Sequence, residues 1–142
     1  MEENAKATVK WAGDGLFVAT SPGGHAQVLE SNHARNAAAT PVELLLMALG
    51  GCTGVDVVGI LEKKRMKVTS YEAVVGGERS ADNPKKFLTM HVHHIVRGEG
   101  ITPEAVARSI ELSETKYCSV AASLEPGVKI TSSFEILAEP AK

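Results

Sequence analysis

Stretches in which apolar and polar residues alternate flank one long stretch that is apolar on nearly every side. Residues 6–11 set Ala7, Val9 and Trp11 against Lys6, Thr8 and Lys10, the period of two that marks a half-buried strand. Gly13-Asp14-Gly15 predicts a turn and residues 16–19 the returning strand of a hairpin. Ser21-Pro22-Gly23-Gly24 predicts a second turn and residues 25–29 a third strand, so the chain opens as a three-stranded meander. Residues 31–40 show no apolar periodicity and read as a polar, Ala-rich loop.

The central stretch, residues 41–61, reads PVELLLMALGGCTGVDVVGIL. Thr40 suits a helix cap and Pro41 the first helical position. Leu44, Leu45, Leu46, Met47 and Leu49 cannot share one face at a helical period, so this helix is expected to be buried all round. Gly50 and Gly51 each cost a helix about 1 kcal/mol against Ala. That cost predicts either close packing of another backbone or room for a small ligand above Cys52. The basic run Lys63-Lys64-Arg65 suits the carboxyl end of the helix dipole.

Residues 66–78 alternate around Val68, Tyr71, Ala73 and Val75, and residues 87–96 alternate again. The second run places Phe87, Thr89, His91 and His93 on one face and Leu88, Met90, Val92, His94 and Val96 on the other. With the turn at Ser80-Ala81-Asp82-Asn83-Pro84, the two runs predict a long hairpin. Thr102-Pro103-Glu104 opens a second helix whose buried stripe is Val106, Ile110, Leu112 and Tyr117. Cys118 falls where that helix ends and the short apolar segment 119–124 begins. Pro126-Gly127 stops the segment, and residues 128–137 alternate as a last strand. The expected fold class is α+β, one domain over residues 1–142, with antiparallel sheets and segregated helices. So short a chain has little with which to wrap an all-round apolar helix, and the simplest cover is the same helix from a second copy in a two-fold homodimer.

The formal net charge of −2 leaves no basic footprint for nucleic acid or for an anionic membrane surface. The first residues lack the apolar run of a secretory signal. Glu43, Asp56 and four glycines argue against a membrane-spanning role for the central stretch. A soluble, cytoplasmic protein is expected, and in a reducing cytosol Cys52 and Cys118 are not expected to form a structural disulfide.

A thiol attacks only as its thiolate, so a reactive cysteine needs positive potential or hydrogen-bond donors nearby. Cys52 is mid-helix in apolar surroundings, where burial alone makes a thiol inert. Cys118 sits at a junction that can move. One core thiol and one junction thiol suit a peroxidatic and a resolving cysteine, and equally suit two small buried hydrophobes.

The run Glu43 to Thr53, ELLLMALGGCT, resembles the central-helix signature of the OsmC and organic-hydroperoxide-resistance family. Thr115 to Ala121, TKYCSVA, resembles its second-cysteine motif. The order of elements is similar over nearly the whole chain. The likeness is closest to the branch with a Gly-Gly-Cys helix and Val9-Lys10-Trp11 in the first strand. The resemblance implies an intertwined homodimer with an active site at the subunit interface. It implies thiol-dependent reduction of organic hydroperoxides, with Cys52 peroxidatic, Cys118 resolving and a small or protein-bound dithiol as reductant. No metal or other cofactor is implied. Peroxidase members carry an arginine in the N-terminal hairpin, whereas residues 10–16 here hold none, which leaves Lys10 and Arg35 as candidate thiolate-stabilising cations. The acid on the helix falls at Glu43 rather than at the position of Val42, an offset that turns a helical side chain by about 100°. Those departures motivate an alternative of another class, a non-catalytic small-ligand-binding or redox-sensing protein. Of the remaining candidates, His91 and His93 share a face and His94 does not, so at most two histidines converge and they read as ordinary strand residues. Asp56, one turn after Cys52, reads as structural.

Overall fold

The computed structural model describes residues 5–31 and 33–140. They form two compact units, Met1–Leu45 and Leu46–Lys142.

The first unit holds β1 (Thr8–Gly13), β2 (Leu16–Thr20) and β3 (Ala26–Glu30). They pair antiparallel in the order β1-β2-β3. The β1–β2 turn needs left-handed backbone at three successive residues, with φ of 89° at Gly13, 51° at Asp14 and 74° at Gly15. Glycine adopts that conformation without steric cost and Asp tolerates it, which is why the Gly-Asp-Gly signal is a turn. The expected half-burial of the first strand is not met within one chain: Trp11 is 69% exposed and β1 is exposed along nearly its whole length.

The helix α1 runs Pro41–Lys63. Its start is a reciprocal capping box: Glu43 N–H donates to Thr40 Oγ1 at 3.2 Å and Thr40 N–H donates to Glu43 Oε1 at 2.9 Å. By length and composition α1 is apolar enough to cross a bilayer. The expected all-round burial is not met within one chain. Leu49, Gly50, Thr53, Gly54, Val57 and Leu61 form its buried stripe, while Leu45, Met47 and Val55 stand exposed.

The second unit carries the rest of α1, then β4 (Lys67–Arg79), β5 (Phe87–Glu99), α2 (Pro103–Leu112), a five-residue π-helix (Ser113–Tyr117), α3 (Ser119–Leu124) and β6 (Lys129–Leu137). The sheet order is β4-β5-β6. The β4–β5 hairpin is antiparallel as expected, but β6 runs parallel to β5. The expectation of purely antiparallel sheets fails because α2, the π-helix and α3 make a crossover long enough to return the chain in the same direction. The alternation on β5 also changes at its start. Phe87 is buried and Leu88 is 44% exposed, the reverse of the expected faces, beside a register shift between Glu78 and Arg79. Beyond it Met90, Val92, His94 and Val96 are buried as one face. Val57 and Leu61 of α1 pack with Val96 of β5 and with Ala105, Val106 and Ile110 of α2. Tyr117 is 51% exposed and leaves the expected stripe, because the π-turn rotates it away.

The glycines of α1 divide into two roles. A Cβ on Gly50 would lie 2.9 Å from Val75 Cγ2, and one on Gly54 would lie 2.8 Å from Tyr71 Cε1. These two let the helix press onto β4, through side chains rather than backbone. A Cβ on Gly51 or Gly59 would meet nothing within 4 Å. Gly54→Ala therefore gains about 1 kcal/mol of helix propensity and loses more to overpacking, which typically costs about 1–3 kcal/mol. A lower urea midpoint is expected, and a raised midpoint would contradict the packing.

Candidate active site

Cys52 lies half-buried on α1 and Cys118 is buried where the π-helix meets α3, both as free thiols. The second unit brings them together: the Cys52 sulfur lies close enough to Cys118 to act on the ionisation of its thiol. Burial pushes the Cys118 thiol up to about 11, the Ala121 N–H opposes that shift, and the neighbouring Cys52 adds to it. Cys118 thus keeps its proton at neutral pH.

The local sequence holds Cys118 in place on three sides. Its N–H donates to Ser113 O at 2.8 Å, closing the π-turn. Its Sγ caps α3 by accepting from Ala121 N–H at 3.3 Å. Ser113, at the start of the π-helix, donates from Oγ to Asp56 Oδ2 at 2.8 Å. Asp56 is one turn beyond Cys52 on α1, so its structural reading holds in a specific form: it ties the two cysteine-bearing elements to each other.

A second polar chain enters the protein beside Cys52. The Thr53 hydroxyl donates to Leu49 O at 3.0 Å and lies within reach of the Tyr71 hydroxyl. Tyr71 Oη is 2.6 Å from His94 Nδ1, and burial raises the phenol to about 12, with Thr53 opposing. His94 is 1% exposed, its Nε2 has no hydrogen-bond partner, and burial lowers it to about 4, with smaller contributions from His93 and His91.

A cavity of about 340 Å³ opens between α1 and the α2–π-helix junction, lined chiefly by Val55, Asp56, Gly59, Ile60, Leu112 and Tyr117. A more open groove of about 490 Å³ follows the glycine side of α1 from Gly50 to Glu62.

Glu43, Arg35 and Lys10 belong to the first unit. The Glu43 carboxyl is held low, first by the Thr40 N–H and then by its hydroxyl, so the structure gives this residue a capping role. Arg35 pairs with Glu30 through Nε and with Asp14 Oδ2 through Nη1 at 2.7 Å, and its Nη2 donates to Asp14 O at 2.6 Å. Buried Glu30 also accepts from Ala37 and Ala38 N–H at 2.5 and 2.9 Å. The loop that looked patternless is thus folded around one carboxylate. Lys10 lies on β1 opposite Val18, with an exposed side chain.

His91 Nε2 and His93 Nδ1 both meet Ser133 Oγ, at 2.8 and 2.7 Å, while His94 faces the core. Among the described residues no cluster of three metal-ligating side chains forms. Sequence reasoning missed three features: the Asp56–Ser113 bond, the Tyr71–His94 pair and the π-helix. The first two join residues far apart in the chain. For the third, the run Ser113-Glu114-Thr115-Lys116-Tyr117 has no helical apolar period, which is a weak signal of irregular helix.

The order and pairing of the strands, the long glycine-bearing helix and the apposed thiols define an OsmC-like protein, and residues 33–133 match the family model described as OsmC-like protein. The chain belongs to the OsmC family. It is 42% identical over 133 residues to Protein YhfA of Escherichia coli K12, covering 94% of this chain and 98% of that protein. A solved structure of a protein from Aquifex aeolicus is 27% identical, with a TM-score of 0.86 over 98% of this chain and 100% of that one. The organic hydroperoxide resistance protein OhrB of Bacillus subtilis shares the fold at 14% identity, with a TM-score of 0.62 over 94% of this chain and 98% of that one.

Proposed function

We propose that this protein is a thiol peroxidase that reduces organic hydroperoxides, with Cys52 as the attacking thiol and Cys118 as the resolving one. The observation that carries the reading is the proximity of two cysteines 66 positions apart, brought near each other although each is free. Family membership, and the name of the Bacillus neighbour, favour peroxide as the oxidant.

The Cys52 thiolate attacks the distal peroxide oxygen. The O–O bond breaks, the alkoxide leaves and takes a proton to become the alcohol, and Cys52 becomes a sulfenic acid. The Cys118 sulfur then attacks the Cys52 sulfur, expelling hydroxide, which leaves as water once the Cys118 proton is transferred. A disulfide remains. A small or protein-bound dithiol reduces it and is itself oxidised to a disulfide. Before the first step the protonated Cys118 stands near Cys52, and Tyr71, bonded to His94, packs against the adjoining turn of α1 at Gly54. Val55, Ile60 and Leu112 of the 340 Å³ cavity, whose lining also holds Asp56 and Lys63, give an alkyl chain apolar surface on the helix that carries Cys52 and so favour alkyl peroxides over hydrogen peroxide, since each buried apolar Å² adds about 25 cal/mol. Faster consumption of cumene hydroperoxide than of hydrogen peroxide, with dithiothreitol as reductant, is the expected result. Equal rates would remove the cavity from the mechanism.

The working form in this proposal is a homodimer. Val55 is 75% and Met47 55% exposed on an apolar helix, and the open side of Gly51 and Gly59 gives a second helix room to approach. Native mass spectrometry should give twice the chain mass, and a lone chain would contradict it.

A second reading, a small-ligand-binding or redox-sensing protein without turnover, is favoured by the engagement of Arg35 with Glu30 and Asp14. It predicts a retained ligand in the native mass spectrum and no peroxide consumption.

A further inference from the structure

The peroxidase reading needs two events, oxidation of Cys52 and closure onto Cys118, and these place different demands on the protein. The first concerns one sulfur and its peroxide. The second requires two secondary-structure elements to keep their sulfurs in register within the narrow separations that a disulfide tolerates.

Four links form a ring around the thiol pair. Cys52 is joined to Asp56 by one turn of α1. Asp56 Oδ2 accepts from Ser113 Oγ at 2.8 Å. Ser113 is joined to Cys118 by the π-turn, whose closing bond is the 2.8 Å contact from Cys118 N–H to Ser113 O. The proximity of the Cys118 thiol to Cys52 closes the ring. Ser113 is 1% exposed, so the serine end of its bond to the carboxylate is sheltered from competing water. The π-helix supplies the correct angular position. An α-helical continuation would carry one residue fewer in that turn and would rotate Cys118 by about 100° around the axis. A π-turn is rare and poorly stable alone, and here its first residue is anchored to the element that carries the other cysteine.

We infer that Asp56 and Ser113 are a positioning pair for disulfide closure, holding the π-helix so that Cys118 stands over Cys52. This inference rests on the peroxidase reading for its biological use. Its geometry is testable without that reading, because diamide closes neighbouring thiols with no peroxide: it takes two electrons and two protons from the pair and becomes the hydrazine.

The test compares wild type, Asp56→Ala, Asp56→Asn and Ser113→Ala, each first checked by circular dichroism. One equivalent of cumene hydroperoxide is added, with dimedone present to trap sulfenic acid, and the products are counted by mass. Wild type is expected to give mainly the Cys52–Cys118 disulfide. In Asp56→Ala and Ser113→Ala, closure should slow by about tenfold or more relative to the oxidation of Cys52 in the same protein, a loss of the order expected for a part-buried hydrogen bond to a carboxylate. The dimedone adduct then dominates. Asp56→Asn keeps an acceptor oxygen and should restore much of the closure, which a general loss of stability would not do. Should Asp56→Ala fail to fold, Ser113→Ala and Asp56→Asn still report the partition. Closure at the wild-type rate in both Asp56→Ala and Ser113→Ala would overturn the inference. If wild type gives neither adduct nor disulfide with peroxide, the peroxidase reading fails, and slower closure by diamide in the two alanine variants still upholds the brace. Equal diamide closure in all four proteins overturns it.

Discussion

Cys52→Ser is expected to reduce peroxide consumption to background, a loss on the order of 10³-fold or more, as for removal of any attacking nucleophile. A serine hydroxyl cannot accept the peroxide oxygen as a thiolate does, and Cys118, buried and held protonated with its thiol pushed up to about 11, does not take over. Cys118→Ser should behave differently. It oxidises Cys52 in the first turnover and then stops, with the sulfenic acid open to dimedone. Stopped-flow loss of cumene hydroperoxide in the three proteins checks this. A Cys52→Ser protein as fast as wild type would show that the thiol pair has no part in turnover.

The second large effect is on stability and comes from His94. Its folded pKa of about 4 lies below the ordinary 6.5, so the unfolded chain takes up the proton first as the pH falls. The stabilisation is complete above about pH 6.5 and is lost as the pH drops toward 4. From pH 7.5 to 5 the loss from this one residue is about 2 kcal/mol. The charged form would sit against the phenol of Tyr71, in a core that gives Nε2 no acceptor. Urea unfolding at the two pH values should show the loss in wild type, and His94→Leu should flatten it by that amount while being less stable at pH 7.5. An unchanged pH slope in His94→Leu would place the acid sensitivity elsewhere.

Much of the architecture is legible from local chemistry. Thr40-Pro41 marks the start of α1, Gly13-Asp14-Gly15 the first turn and Thr102-Pro103 the start of α2, because caps and left-handed turns depend on the residues that make them. The direction of β6 is not local: nothing in its alternation distinguishes a parallel from an antiparallel neighbour, and the outcome depends on where the crossover returns the chain. Trp11 shows the same limit for burial. Its alternating context identifies a strand but not what covers that strand. Both cysteine motifs are readable, yet the elements that carry them are joined by a π-turn and by an Asp–Ser bond between residues 57 apart, which no local pattern announces. Glu43 shows how one residue can invite two readings. The Thr-x-x-Glu spacing is a capping-box signal, and the carboxylate does cap.

The claim on which everything else depends is that two free thiols are poised to become one bond. Treating the reduced protein with one equivalent of cumene hydroperoxide and measuring its intact mass and cysteine-containing peptides tests that claim directly. The account predicts a loss of about 2 Da within a single chain and one peptide pair linking Cys52 to Cys118. An unchanged mass with both thiols still open to alkylation, or a link between the Cys52 residues of two chains, would contradict it.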